Sequence, residues 1–113
     1  MNRKLLALDL DGTLLNSALE ISTNTKKVLK RFHELGHLIT IATGRPWQGA
    51  RNYALELGLK LPLIVNNGAL VAETGGRVHR FSPVGEQAGR ELLQYCRAHS
   101  IPCSMFIGNN IYM

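Results

Sequence analysis

The chain has 113 residues, of which 45% are hydrophobic and 19% are charged, and its formal net charge is +5 at pH 7. This length allows one domain with a modest core, and the composition is that of a globular protein, which excludes a disordered chain. No apolar run reaches the length of a membrane span, and Asp9 interrupts the opening apolar residues too early for a signal peptide. We therefore expect an intracellular, cytoplasmic protein.

The positive charge is spread along the chain and does not indicate nucleic-acid binding. The nearest approach to a cluster, at residues 26–31, lies on a predicted helix whose other face is apolar, and a solvated helix face explains it. Two cysteines, Cys96 and Cys103, are too few for a disulfide framework, so we expect reduced thiols. The charge itself favours anionic small molecules such as phosphate esters, and no membrane partner is expected.

The most informative segment is Leu-Asp-Leu-Asp-Gly-Thr-Leu-Leu at residues 8–15. The apolar run at residues 5–8 predicts a buried strand of a parallel sheet. Residues i and i+2 of an extended segment share a face, so Asp9 and Asp11 are expected to point into one small volume. Two carboxylates that close repel each other unless a cation or ligand stabilises them, and Gly12 allows a sharp turn beside them.

Helices and strands alternate after this segment. Ser22 is a natural N-cap for a first helix, and residues 37–43 predict a second strand because they are rich in β-branched side chains. Pro46 fits the first position of a second helix, and residues 61–66 predict a third strand. This order implies an α/β fold built on a parallel, right-handed, partial doubly wound (Rossmann-like) sheet.

The hydrophobic period changes in the second half of the chain. Residues 69–73 and 77–81 flank Thr-Gly-Gly and predict a β-hairpin. Residues 85–100 predict a third helix, residues 102–107 a strand and residues 108–110 a turn, and a further strand is expected to begin at residue 111. Internal repeats and low-complexity linkers are absent from the sequence.

The chemistry-bearing residues all follow predicted strands. In open α/β sheets, ligands bind beyond the carboxyl ends of the strands. At the carboxyl ends of three different predicted strands lie residues suited to bind a ligand: Asp9, Asp11, Thr43, Gly44, Asn67 and Gly68. Their convergence predicts a single site.

Three stretches carry a family resemblance. Residues 9–15 resemble the first signature of the haloacid dehalogenase-like (HAD) hydrolases. The run Ile-Thr-Ile-Ala-Thr-Gly-Arg-Pro at residues 39–46 resembles the second signature, in the form found in the Cof-type sugar-phosphatase branch. The run Leu-Ile-Val-Asn-Asn-Gly-Ala at residues 63–69 fits the same branch, and the resemblance extends from Lys4 to Tyr112.

The resemblance implies that residues 1–81 are the N-terminal part of a core domain and that residues 82–113 begin a cap domain. Complete members of the family continue with the rest of the cap, a lysine that pairs with the nucleophile, and an acidic pair that completes a Mg²⁺ site. We therefore expect a truncated gene product or fragment, or else a second chain that covers the unpaired edge of the first strand. The latter predicts self-association through that edge.

The implied activity is that of a Mg²⁺-dependent phosphatase of small phosphorylated metabolites such as sugar phosphates. By resemblance, Asp9 attacks the phosphorus, and Asp11 protonates the leaving alcohol and then activates water. Mg²⁺ would be bound by the Asp9 carboxylate and the Asp11 backbone carbonyl. Thr43 would bind a phosphoryl oxygen, together with backbone N–H groups near Leu10 and Gly44.

Each of the remaining candidate site residues has two possible interpretations. Arg45 is predicted either to contact phosphate or sugar, or to serve as a surface or capping residue. Asn67 and Gly68 either line the pocket or form a strand-to-hairpin turn that uses their tolerance for positive φ. For the whole chain, the alternatives are a non-catalytic remnant that binds phosphate, Mg²⁺ or a partner, and a phosphomutase-like transferase.

Overall fold

The computed structural model describes residues 2–108 and 110–113. Helices and strands follow one another as β1 (Leu5–Leu8), α1 (Thr23–Glu34), β2 (Leu38–Ile41), α2 (Trp47–Glu56), β3 (Leu63–Val65), β4 (Leu70–Ala72), β5 (Val78–Phe81), α3 (Glu86–Ala98), β6 (Met105–Ile107) and β7 (Asn110–Tyr112). The chain divides into two compact units between Phe81 and Ser82. The fold class is α/β, as predicted, whereas the naming of the units as core and cap stays a prediction.

The first unit brings the carboxyl ends of three parallel strands to one edge. β1 and β2 pair in parallel, with Leu8 opposite Ile41. β3 joins β2 through a parallel bridge between Ala42 and Ile64, and the Thr43 N–H donates to the Ile64 carbonyl at 2.9 Å. The loops that follow the three strands therefore adjoin, as a doubly wound sheet requires.

The predicted β-hairpin is confirmed. β4 lies between β3 and β5 and pairs antiparallel with both, with a register shift between Val71 and Ala72. A short 3₁₀ turn at Asn66–Gly68 connects β3 to β4. The consequence is that β3 belongs to a three-stranded antiparallel sheet and is joined to the parallel pair by the isolated bridge between Ala42 and Ile64.

The helix boundaries follow from capping residues, with one correction. Ser22 caps α1 as predicted, since its Oγ accepts a hydrogen bond from the Thr25 N–H at 3.1 Å. The prediction that Pro46 takes the first helical position is wrong. Its ψ of 162° is extended, and α2 begins at Trp47, so Pro46 is the N-cap residue. Its carbonyl already accepts from the Gly49 N–H at 3.0 Å, which is what an N-cap carbonyl does.

The core of the first unit lies between the strands and the two helices α1 and α2. Its largest fully buried side chains are Leu10, Ile41, Leu63 and Val65. α1 contributes Leu29, and the small residues of α2 let that helix approach the strands closely. The core thus reaches from the middle of the sheet to Leu10, which lies beside the candidate site.

The second unit consists of α3 and the antiparallel pair β6–β7, in which Met105 lies opposite Tyr112. None of the described residues between 82 and 113 is buried. The predicted turn at residues 108–110 includes Asn109, which lies outside the described residues. Across the described part of the chain, every helix is too short or too polar to cross a bilayer.

Candidate active site

Asp9 lies where β1 enters a kinked turn, Leu10–Leu14. The turn is closed by a hydrogen bond from the Leu15 N–H to the Leu10 carbonyl at 2.9 Å, and Gly12 has a left-handed φ of 73°. One carboxylate oxygen of Asp9, Oδ1, accepts a hydrogen bond from the Leu10 N–H at 2.7 Å. This bond fixes the orientation of the Asp9 side chain and occupies a backbone donor that was predicted to bind phosphate.

Asp11 is held by Arg45, which lies in the loop after β2. Arg45 Nε donates to Asp11 Oδ2 and Nη2 donates to Asp11 Oδ1, both at 2.7 Å. Hydrogen bonding from Arg45 is the main reason why the pKa of Asp11 lies below its usual range, and the same pair raises the pKa of Arg45. Asp11 therefore carries a negative charge at neutral pH.

Thr43 and Gly44 follow β2 and face the same edge of the sheet. Thr43 is buried, and its Oγ1 accepts a hydrogen bond from the Arg45 N–H at 3.1 Å. A hydroxyl that accepts still has its own hydrogen to donate. A Cβ at Gly44 would lie 2.9 Å from Asn67 Oδ1, so a larger residue there would displace the Asn67 side chain.

Asn67 and Gly68 form the turn after β3, both with left-handed φ values (53° and 91°). The Asn67 N–H donates to the Thr43 carbonyl at 3.2 Å, and the neighbouring Asn66 N–H donates to the Arg45 carbonyl at 2.9 Å. These bonds attach the loop after β3 to the loop after β2. The geometry matches the predicted strand-to-hairpin turn, while a role for Asn67 and Gly68 in lining the pocket stays a prediction.

Tyr53 belongs to this region and was not anticipated. Its ring lies beneath the Arg45 guanidinium, with Arg45 Cζ 5.5 Å from the ring centroid, and its hydroxyl donates to the Leu19 carbonyl at 2.7 Å. The only signal in the sequence is an aromatic residue eight positions after an arginine that precedes a helix. That spacing returns a side chain to the same side of the helix.

The oxygen donors at this edge suit Mg²⁺. Arg45 engages both carboxylate oxygens of Asp11, which leaves the Asp11 backbone carbonyl, together with the Asp9 carboxylate, as donors. Mg²⁺ commonly takes one or two protein carboxylates and fills its other positions with water and substrate phosphate. Among the residues that the structure describes, no group of three or more His, Cys, Asp or Glu is placed to hold a metal. The donors present therefore fit a Mg²⁺ site in type and supply part of its coordination.

The Asp11–Arg45 pair predicts a shifted titration. In carbon-detected NMR, the Asp11 carboxyl is expected to titrate at a lower pH than an ordinary aspartate, because Arg45 stabilises the charged form. The stability that the pair contributes is present above the usual aspartate pKa and is lost as pH falls through the lowered one. Arg45→Met is expected to move the midpoint back up, and Arg51→Met to leave it in place. An Asp11 midpoint that does not move in Arg45→Met would contradict this assignment.

Parallel strands that are followed at one edge by acidic and hydroxyl residues are typical of α/β proteins that bind ligands at that edge. The profile of the haloacid dehalogenase-like hydrolases matches residues 6–113, and the chain belongs to this family.

Individual relatives are phosphatases. The chain is 29% identical to the phosphatase YwpJ of Bacillus subtilis over 96% of its own length and 38% of the relative's. It is 39% identical to 5-amino-6-(5-phospho-D-ribitylamino)uracil phosphatase YitU of the same organism, over 71% and 31% of the two lengths. Among solved structures, a HAD subclass IIB sugar phosphatase superposes with a TM-score of 0.81 at 27% identity, over 97% of this chain and 43% of that one. The chain thus spans well under half the length of these proteins.

Proposed function

We propose that the chain forms part of a Mg²⁺-dependent phosphatase of the Cof-type branch, which hydrolyses small phosphorylated metabolites such as sugar phosphates. The observation that carries the proposal is the placement of Asp9 and Asp11 beyond β1, beside the buried Thr43 beyond the adjoining β2. The relatives support the substrate class, since one acts on a phosphorylated ribityl compound and another is a sugar phosphatase.

Asp9 is the nucleophile in this proposal. Its Oδ1 is held by the Leu10 N–H, which leaves Oδ2 to attack the phosphorus. The new bond joins Oδ2 to phosphorus while the bond from phosphorus to the ester oxygen breaks, and the product is an aspartyl-phosphate. We therefore assign the Leu10 N–H to the orientation of the nucleophile, and its predicted contact with phosphate would require this hydrogen bond to break.

Asp11 is the general acid and base. The departing ester oxygen takes a proton from Asp11, and Asp11 then takes a proton from the water that attacks the phosphorus. This second step releases inorganic phosphate and regenerates the Asp9 carboxylate. The first step needs Asp11 protonated, and the approach of an anionic phosphoryl group raises the pKa of a neighbouring carboxyl and attracts Arg45 away from it. Substrate binding itself thus favours the acidic form.

The phosphoryl oxygens are bound by the Thr43 hydroxyl and the Gly44 N–H. A buried hydroxyl has few rotamers, so it costs little to order when substrate binds. In the structure the Arg45 guanidinium binds Asp11. When substrate binds, the guanidinium turns to the phosphate or sugar, which is the contact predicted for it. Mg²⁺, bound by the Asp9 carboxylate and the Asp11 carbonyl, would shield the anionic nucleophile from the anionic ester.

Hydrolysis of p-nitrophenyl phosphate tests this proposal. Any release of p-nitrophenolate by the chain is expected to require Mg²⁺, to stop when EDTA removes the metal, and to resume when excess Mg²⁺ is returned. Release that continues unchanged in EDTA would contradict the metal requirement. No release under any of these conditions would favour the non-catalytic remnant.

We also propose that two copies of the chain associate through the edge of β1 that no strand of the described residues covers. The Leu38 and Ala42 N–H groups donate to the Lys4 and Leu8 carbonyls, so the alternate β1 backbone groups point away from β2. Leu5, one of these alternate residues, is 61% exposed. An apolar strand edge of this kind readily pairs with another chain.

Leu5→Lys is expected to convert the dimer into monomer, because a charge on an edge strand opposes pairing. Light scattering at micromolar concentration measures the mass of the parent and of the variant. Val28→Lys, at a position on α1 that is also exposed, is the matched control and is expected to leave the mass unchanged. A parent that is already monomeric would refute the association.

We place the protein in the cytoplasm. Both cysteines are free thiols, as is usual in reducing compartments. Burial is the main reason why the pKa of Cys96 is raised, and the neighbouring Cys103 adds to it. Cys96 is therefore a protonated, weakly reactive thiol at neutral pH.

A further inference from the structure

Tyr53 contacts both Arg45 and the loop that follows the Asp11 turn. The ring lies beneath the Arg45 guanidinium at 5.5 Å, within the distance of about 6 Å at which a cation and an aromatic face attract. The hydroxyl donates to the Leu19 carbonyl at 2.7 Å. The side chain is half-buried and packs against the core of the first unit. It therefore joins α2 to an arginine side chain of the site and to a surface loop.

Asp11 depends on Arg45 for its orientation. The Asp11 side chain is 53% exposed, and that of Arg45 is 25% exposed. A half-exposed carboxylate and a long arginine lose rotamer freedom when they pair, and that cost weakens surface pairs. A ring beneath the guanidinium reduces the cost, because it restricts the arginine before the pair forms. The in-plane donors Nε and Nη2 are then already directed at both oxygens of Asp11.

The loop at residues 16–20 is fixed by the same tyrosine. The loop is closed by the Asn16 N–H, which donates to the Glu20 carbonyl at 2.9 Å, and Asn16 Oδ1 accepts from the Ala18 and Glu20 N–H groups. Leu19 has a left-handed φ of 58°, which is unfavourable for leucine. The hydrogen bond from Tyr53 holds the Leu19 carbonyl in this conformation.

We propose that Tyr53 is a positioning residue for Asp11: its ring holds the Arg45 guanidinium in the plane that engages the carboxylate, and its hydroxyl fixes the following loop. The proposal rests on the proposed role of Asp11 as general acid and base. It means that α2, through a residue that touches neither phosphate nor metal, sets where the Asp11 carboxylate points before substrate binds.

NMR of the arginine Nε–H groups in the 113-residue chain tests the proposal without any need for turnover. The Arg45 Nε–H donates to a carboxylate, and its signal, identified by its loss in Arg45→Lys, is expected to exchange slowly with water. Tyr53→Met keeps apolar bulk and helix propensity but removes the ring, and it is expected to speed this exchange at least about tenfold. Tyr53→Phe keeps the ring, and the Arg45 Nε–H is expected to exchange as slowly in this variant as in the parent chain.

Arg51 on the same helix provides the internal control. Its Nε–H donates to the Thr74 carbonyl at 2.7 Å, and its guanidinium lies over the Trp47 ring. The Arg51 signal is expected to stay unchanged in Tyr53→Met. Loss of both arginine signals would reveal a merely structural role, and an unchanged Arg45 signal would reveal no role; either result overturns the proposal. Fast exchange in Tyr53→Phe would overturn the part assigned to the ring.

The parent chain offers a measurement that needs no variant. The protons on Arg45 Cδ are expected upfield of their usual position, because the guanidinium group next to them lies over the Tyr53 ring. Usual shifts would contradict the stacking. If the chain hydrolyses p-nitrophenyl phosphate, Tyr53→Met is further expected to lower kcat by about tenfold to a hundredfold with little change in KM. An unchanged kcat beside a lost Arg45 signal would show that turnover does not depend on the Arg45–Asp11 pair and would leave the positioning by Tyr53 standing, whereas the role of Asp11 itself is tested by Asp11→Asn.

Discussion

Asp9→Asn is expected to lower the rate of p-nitrophenyl phosphate hydrolysis in the presence of Mg²⁺ by at least about a thousandfold. An amide oxygen is a far weaker nucleophile than a carboxylate, so the aspartyl-phosphate does not form. The substitution also weakens the proposed Mg²⁺ site, because it removes a charged donor. The side chain keeps its size, and its oxygen still accepts the Leu10 N–H, so the fold is expected to persist.

Two further variants sharpen this experiment. Glu20→Gln removes an equivalent charge from the neighbouring loop and is expected to leave the rate unchanged. Asp11→Asn is expected to reduce hydrolysis of an alkyl phosphate more than that of p-nitrophenyl phosphate, because p-nitrophenolate leaves with little need for a proton. A rate that survives Asp9→Asn would eliminate this residue as the nucleophile. Transfer of phosphate to a sugar hydroxyl, with water excluded, would favour a phosphomutase-like enzyme.

Leu10→Ala is expected to lower the free energy of unfolding of the first unit by about 2–5 kcal/mol. Leu10 is fully buried, and it anchors the turn that carries both aspartates to the core. Its truncation leaves a cavity beneath that turn, and the loss is a large part of the usual stability of a small domain. Urea denaturation followed by the fluorescence of Trp47, the single tryptophan, measures it.

Val28→Ala is the matched control for Leu10→Ala. Val28 lies on α1 with 60% of its surface exposed, so its truncation is expected to change the free energy of unfolding by less than about 0.5 kcal/mol. Equal losses in the two variants would show that Leu10 is not a core anchor. A smaller dependence of the free energy on urea in Leu10→Ala alone would indicate a changed denatured state.

The alternating order of strands and helices was predictable because each one carries local signals. Ser22 caps α1 through its own side chain, and the Thr-Gly-Gly sequence turns the hairpin between β4 and β5. The first position of α2 was misplaced by one residue, because proline satisfies both the first helical position and the N-cap with the same φ. Only its ψ distinguishes the two, and ψ depends on the neighbouring loop.

The contacts within the site were less accessible to sequence reasoning. That Asp9 and Thr43 follow adjoining strands could be deduced from the parallel sheet. The pairing of Asp11 with Arg45 joins residues 34 positions apart through flexible side chains, and no periodicity encodes it. The support that Tyr53 gives to Arg45 depends in turn on where α2 packs. Side-chain pairs of this kind can be identified only when the backbone structure gives the distances between the residues.

The lack of buried side chains among the described residues of 82–113 has a consequence for dynamics. A segment with little apolar surface removed from water opens at a small cost in free energy. Amide hydrogens of α3 are therefore expected to exchange with deuterium well before those of β2, where Ile39, Thr40 and Ile41 are buried. The part of the chain most protected from exchange is then expected to be the first unit, which carries the aspartates.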